Sequence, residues 1–283
     1  MRIKKYLSNI EDLSNRKIVL TGATSGIGEA CLYHLLSKNA EVICLVHSYN
    51  KVEEFKKKIF EKYPNAKVDF LPYDQSSLKD IERTVDDLLV KHPDFDTVIL
   101  DAGVLTSKGR TVDDYPLSIG VNYIGVRHFI DYLSPKISHN LRFVIQGSIV
   151  AFASVNKKDD LRKQYGVFKQ YNISKGYIEA YFYKLYKENK YPNIEYVLTE
   201  PGISNTRITR HFNKFVRVGG HYFLMMFNTP IKASLPLLLG ATSKAKNGDY
   251  ITPRCLFTLC GYPKIKKFPN RRKREYLFDN EEQ

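Results

Sequence analysis

A single α/β domain, doubly wound around a mostly parallel sheet of roughly seven strands, is the fold that the sequence predicts. Two observations carry this. Short β-branched runs alternate with amphipathic helical stretches along most of the chain, which is the pattern of βαβ units. The first run is followed by a glycine-rich turn and then by a helical pattern, Thr21-Gly22-Ala23-Thr24-Ser25-Gly26-Ile27-Gly28. No internal repeat, low-complexity tract or linker divides the 283 residues, a length that allows one large domain or two small ones.

The elements follow in order. Residues 17–20 form the first strand and 27–38 the first helix; residues 41–46 form the second strand and 51–62 a charged helix. The third strand is 67–71. Ser77 then caps a helix through about residue 90, with Ile81, Val85, Leu88 and Leu89 on one face. Buried strands at 96–100 and 142–146 enclose a helix bearing Val121, Ile124, Phe129 and Leu133. A long helix is expected at 173–188, despite Gly176, which costs about 1 kcal/mol relative to Ala without ending the helix. The sixth strand spans 194–198, and 250–251 lie in the seventh. Right-handed crossovers then put the strand C-termini, and any ligand site, along one edge.

Composition narrows the function classes. Hydrophobic residues at 43% and charged residues at 26% exclude disorder, collagen-like repeats and a disulfide scaffold. Cys31, Cys44, Cys255 and Cys260 lack CxxC spacing and His-rich partners, so they read as reduced packing residues, with no metal site. The 44 Lys+Arg against 30 Asp+Glu give a net charge of +14. Half of that excess lies in Lys264, Lys266, Lys267, Arg271, Arg272, Lys273 and Arg274. Without aromatic interleaving or a nucleic-acid motif, this cluster reads as a solvated surface; no nucleic-acid partner is expected, and membrane-surface contact has no support beyond the charge itself. Residues 1–16 lack an apolar leader core, and the apolar runs near 222–227 and 235–239 are too short to span a bilayer. Cytoplasmic residence is the expectation. The chain is expected to divide into an N-terminal extension (1–16), a main α/β domain (17–262) and a basic C-terminal extension (263–283).

Two constellations carry chemistry. In TGATSGIG the glycines permit a tight turn and close approach of backbone to a pyrophosphate, and the following helix supplies N–H groups and a partial positive charge. In Tyr171-Asn172-Ile173-Ser174-Lys175 the four-residue offset stacks Tyr171 and Lys175 on one helical face. A neighbouring ammonium is expected to lower the phenol from its usual value of about 10, allowing proton exchange near neutrality. Tyr165 and Lys169 repeat the same spacing, so context must choose between the pairs.

The ordered series of motifs resembles the short-chain dehydrogenase/reductase family from about residue 17 to 206, and more weakly to about 251. TGATSGIG matches its cofactor loop, in which Gly22, Thr24, Ser25, Gly26, Ile27 and Gly28 would bind the nucleotide. Asp74 stands where the family contacts adenine, and Leu100-Asp101-Ala102-Gly103 replaces its Asn-Asn-Ala-Gly. Asn122 within Val121-Asn122-Tyr123 matches the active-site Asn, and Gln146-Gly147-Ser148 matches the end of the fifth strand, with Ser148 catalytic and Gly147 replacing a Ser. Tyr171 and Lys175 match the catalytic Tyr and Lys, and Pro201, Gly202 and Thr206 match the turn that contacts the nicotinamide. The 23-residue interval from Ser148 to Tyr171, with Asp160-Leu161 and Tyr165 inside it, resembles the retinol-dehydrogenase-like subgroup. That match makes Tyr165 the loop tyrosine and Tyr171 the catalytic one.

The resemblance implies a Rossmann-type domain that interconverts an alcohol and a carbonyl compound by hydride transfer. Tyr171 would be proton donor, Ser148 would hold the substrate oxygen, Lys175 would bind the nicotinamide ribose and tune Tyr171, and Asn122 would hold a water. Val46 and His47 close the second strand where NAD-preferring members carry Asp, so NADP is favoured over NAD, with His47 and Lys51 near the 2′-phosphate. Residues 203–228, containing Phe212, Phe215, Val216, Val218 and the run 221–227, are the expected substrate segment for a lipophilic carbonyl. Helix packing or an oligomer contact explains that run equally well. Homo-oligomers are common in the family. The competing reading is a catalytically silent NADP-binding regulatory or scaffolding protein of the same fold.

Overall fold

The computed structural model describes residues 3–152, 159–203, 228–255, 259–274 and 277–278. Eight strands form one sheet in the order β3-β2-β1-β4-β5-β6-β7-β8. They are β1 Lys17–Thr21, β2 Glu41–Val46, β3 Val68–Pro72, β4 Thr97–Leu100, β5 Leu141–Gln146, β6 Ile194–Thr199, β7 Asp249–Cys255 and β8 Cys260–Lys267. Pairing is parallel from β3 through β7, and β8 returns antiparallel on the edge. The order reverses between β1 and β4, which opens a crevice beyond the strand C-termini.

The helices are α1 Ile3–Ser8, α2 Gly26–Leu36, α3 Val52–Lys62, α4 Leu78–Lys91, α5 Leu117–Ile119, α6 Val126–Leu133, α7 Val167–Glu188, α8 Pro230–Ala233 and α9 Leu235–Gly240. Successive strand residues point to opposite faces, so Val19, Ile43 and Leu45 join the core under α4, α6 and α7. Ile18, Leu20, Val42 and Cys44 join the core under α2, α3 and α9. Strands covered on both faces read as continuous apolar runs, as these do. Ser77 caps α4: its hydroxyl accepts the Asp80 N–H at 3.2 Å.

The fold class matches the expectation, with three differences in detail. The sheet gains an eighth strand, and that strand crosses the boundary expected at residue 262. The long helix starts at Val167 rather than at residue 173, because Gly166 is extended and nothing from there to Tyr171 breaks the turn. The basic stretch is not simply a solvated surface. Lys264, Lys266 and Lys267 lie on β8, while the side chains of Arg272 and Arg274 are buried.

Candidate active site

The glycine turn fixes the first wall of the crevice. Gly22 has a φ of 76° between β1 and α2, a left-handed conformation that favours glycine. A Cβ on Gly28 would stand 2.2 Å from the Gly22 carbonyl oxygen and 2.8 Å from a carboxylate oxygen of Asp101. The start of α2 therefore lies directly against the turn, with Thr24 and Ser25 exposed above it. Thr21 ties this wall to β4: its hydroxyl accepts the N–H groups of Asp101 at 3.1 Å and Ala102 at 3.0 Å. Gln75 closes the floor by donating to the Ala102 carbonyl at 3.1 Å and the Val121 carbonyl at 2.8 Å.

Asp101 braces the loop from below. Part of the residue stays accessible, but its carboxyl is enclosed, and removal from water pushes it up to about 7. The Lys175 charge and the Gly28 N–H act in the opposite direction. At the far end, His47 follows β2 and lies 4.0 Å from the Asp74 carboxylate, with three-quarters of its side chain exposed. Asp74 also accepts the Ser76 N–H at 2.9 Å.

The second wall is α7 packed against the end of β5. The Ser148 hydroxyl faces the Tyr171 phenol across the end of β5. Lys175, one turn along α7, is buried and donates to the Gln146 carbonyl at 2.7 Å. Burial pushes the Tyr171 phenol up to about 12; the Asp101 charge adds to this and the Ser148 hydroxyl opposes it. The expectation that Lys175 lowers the phenol is therefore corrected. The ammonium is turned to the β5 carbonyl, and desolvation dominates at the tyrosine. Lys175 is itself lowered to about 8 by burial, with Asp101 and Glu179 pulling it back up.

Asn122 sits in a π-helical turn, Gly120–Gly125, inserted between α5 and α6. Its amide nitrogen donates to the Val104 carbonyl at 2.8 Å and to the Ser174 hydroxyl at 3.1 Å, and its oxygen accepts the Val104 N–H at 2.8 Å. The residue thus joins the loop after β4 to α7. The other YxxxK pair is separate: Lys169 lies 4.3 Å over the Tyr165 ring, and the Tyr165 hydroxyl accepts the Asp160 N–H at 3.1 Å.

Pro201 and Gly202 follow β6, and the Asn228 amide donates to the Pro201 carbonyl at 3.0 Å. The Asn228 N–H donates to the Ile203 carbonyl at 3.0 Å, so the two ends of the expected substrate segment meet. Thr206 and residues 204–227, including Phe212, Phe215, Val216 and Val218, lie outside the described residues.

The sequence reading missed three buried residues behind this wall: Glu179, Glu200 and Arg272. Glu179 extends the Tyr171–Lys175 spacing by another four residues, a signal that was legible. Arg272 had no such signal, being one of seven cations in a basic run.

A glycine cradle at a helix N-terminus opposite a Ser–Tyr–Lys cluster, across the switch point of a parallel sheet, defines a dinucleotide-dependent dehydrogenase or reductase. Comparison with known proteins agrees. The family model for short chain dehydrogenase matches residues 16–217, and the chain belongs to that family of oxidoreductases. An uncharacterized oxidoreductase of Schizosaccharomyces pombe is 24% identical over 88% of this chain and 80% of its own length. The human polyprenol dehydrogenase is 26% identical over 83% of this chain and 74% of its own length. Among solved structures, an uncharacterized protein from Mycobacterium paratuberculosis superposes with a TM-score of 0.74 at 19% identity, covering 96% of this chain and 92% of the other. A short-chain dehydrogenase of Burkholderia cenocepacia in complex with NADP gives 0.66 at 15% identity, covering 83% and 93%.

The family uses nicotinamide dinucleotides, and the residues present fit one. Gly22 and Gly28 let the first turn of α2 pack directly against the β1 turn and the loop after β4, and a helix N-terminus held at the switch point is where a pyrophosphate would find backbone N–H donors. Among the described residues no helix is long and apolar enough to cross a membrane.

Proposed function

We propose that the protein interconverts a lipophilic carbonyl compound and its alcohol with NADP, acting chiefly as an NADPH-dependent reductase. The observation that carries this reading is the Ser148 hydroxyl set against the Tyr171 phenol, backed by buried Lys175 at the crevice. When bound, the nicotinamide supplies the hydride equivalent. Tyr171 gives its phenolic proton to the substrate oxygen, and Ser148 donates a hydrogen bond to the same oxygen as negative charge develops there. Lys175 would offer its ammonium N–H donors to the nicotinamide ribose. The phenol, at about 12, enters protonated and ready to donate, which suits reduction. Gly22, Thr24, Ser25, Gly26, Ile27 and Gly28 would hold the pyrophosphate side. Asp74, Asp101, Ala102 and Gly103 would line the adenosine side, and Pro201, Gly202 and Thr206 the nicotinamide side.

The preference for NADP rests on the absence of a carboxylate at Val46 and His47, with exposed His47 and Lys51 beside the ribose position. A lipophilic substrate is supported by the aromatic sequence of 203–228 and by the likeness to a dehydrogenase named for polyprenol. The retinol-dehydrogenase-like interval points the same way. Fluorescence titration with NADPH and NADH, followed by a panel of aliphatic and isoprenoid carbonyls, tests the reading. Tighter binding of NADPH with turnover of an apolar carbonyl is expected. Binding of neither nucleotide overturns it, and NADPH binding with no turnover favours a silent sensor.

A further inference from the structure

The end of the basic stretch turns inward and reaches the active site. The Arg272 guanidinium is buried, and its Nε donates to Glu179 Oε2 at 2.8 Å while its Nη2 donates to Glu179 Oε1. Nη2 also donates to Glu200 Oε1 at 2.5 Å, and Nη1 donates to the Tyr250 hydroxyl at 2.7 Å. The same Nη2 reaches the Ser148 carbonyl oxygen at 3.2 Å. Glu179 in turn accepts the Ser148 N–H at 3.5 Å. Both backbone groups of Ser148 are therefore held by one ion pair, while its hydroxyl faces Tyr171.

Two neighbouring features fit this arrangement. Glu179 follows Tyr171 and Lys175 at successive four-residue intervals on α7, so one helical face carries all three. Gly147 leaves the room that the carboxylate occupies: a Cβ there would stand 3.0 Å from Glu179 Oε1. The residue that departs from the family's Ser pair is thus the one that Glu179 packs against. A bidentate Arg–carboxylate fork of this kind fixes orientation as well as charge. Without Arg272, two carboxylates would share a site sealed from water.

We propose that Arg272 is a positioning residue for the reaction: with Glu179 it clamps the Ser148 backbone and so aims the Ser148 hydroxyl at Tyr171. The segment beyond β8 then serves turnover through Ser148, a residue that takes no part in holding the nucleotide. This rests on the alcohol–carbonyl reading above.

The test uses full-length protein with Arg272→Ala and Arg272→Lys. Both variants are expected to bind NADPH as the parent does and to lose about 10²-fold in kcat, the scale of a misplaced catalytic group. Lysine keeps the charge but lacks the fork, so it should not rescue, and it decides the question if the alanine variant does not fold. Added guanidinium should restore part of the alanine variant's kcat, whereas ethylammonium at equal concentration should not. Unchanged kcat, loss of NADPH binding together with kcat, or equal rescue by ethylammonium overturns the proposal. Hydrogen exchange of the backbone at 146–149 gives an independent reading, and faster exchange in Arg272→Lys is expected. If the parent binds NADPH but reduces nothing, the functional reading fails, while unchanged exchange in that variant would reject the clamp itself.

Discussion

On the β1–β2–β3 side of the sheet, Ile18, Leu20, Val42, Ile43 and Cys44 are buried among apolar helix residues. On the β5–β6–β7 side the interior also encloses Lys175, Glu179, Glu200 and Arg272. Both sides lie under helices and share one register, yet they are stabilised differently. The first relies on burial, which is non-directional and roughly proportional to apolar area. The second contains charges whose desolvation is offset only by exact partners, so its geometry is specified atom by atom. The wall at β1 is therefore set mainly by close packing at Gly22 and Gly28, whereas the wall at α7 also depends on directed contacts between buried charges.

Substitutions can break this contrast. The largest stability effect is expected at Ile43→Ala on β2, where deletion of a fully buried side chain costs about 2–5 kcal/mol in urea unfolding. Turnover per folded molecule should be unchanged; a fall in kcat would show that the two walls are not separable. Asp101→Asn, at the seam between them, should act through pH. Its carboxyl is raised to about 7 in the folded protein, so the folded state holds the proton more tightly than the unfolded chain. Stability on this account falls as pH rises from about 4 through 7. The asparagine variant should gain thermal stability over the parent more at pH 8 than at pH 5, and an equal or smaller gain at pH 8 would contradict the assignment. The smallest effect is expected at Ser77→Ala, which removes the α4 cap and should cost about 1 kcal/mol without altering NADPH affinity. A change in nucleotide binding there would mean that α4 participates in the site.

How much was legible follows the same divide. The β2 boundaries at 41–46 and the Ser77 cap were readable because burial on both faces and capping are local signals. The glycine turn and the Tyr171–Lys175 pair were readable for the same reason. β8 was not, because Pro263, Lys264, Lys266 and Lys267 argue against a central strand and are the residues that protect a sheet edge. The phenol's direction of shift was misread because spacing reports which residues share a helical face, not where an ammonium points. Arg272 joins groups 22 to 124 residues away, and no periodicity encodes that.

Tyr171→Phe tests the central claim most directly, with NADPH affinity and carbonyl reduction measured on the same preparation. The phenyl ring keeps the packing of α7 and removes only the hydroxyl that would give the proton. The expected result is parental NADPH affinity with kcat reduced by about 10²–10⁴-fold. Reduction at the parental rate would contradict the assignment of Tyr171 as proton donor.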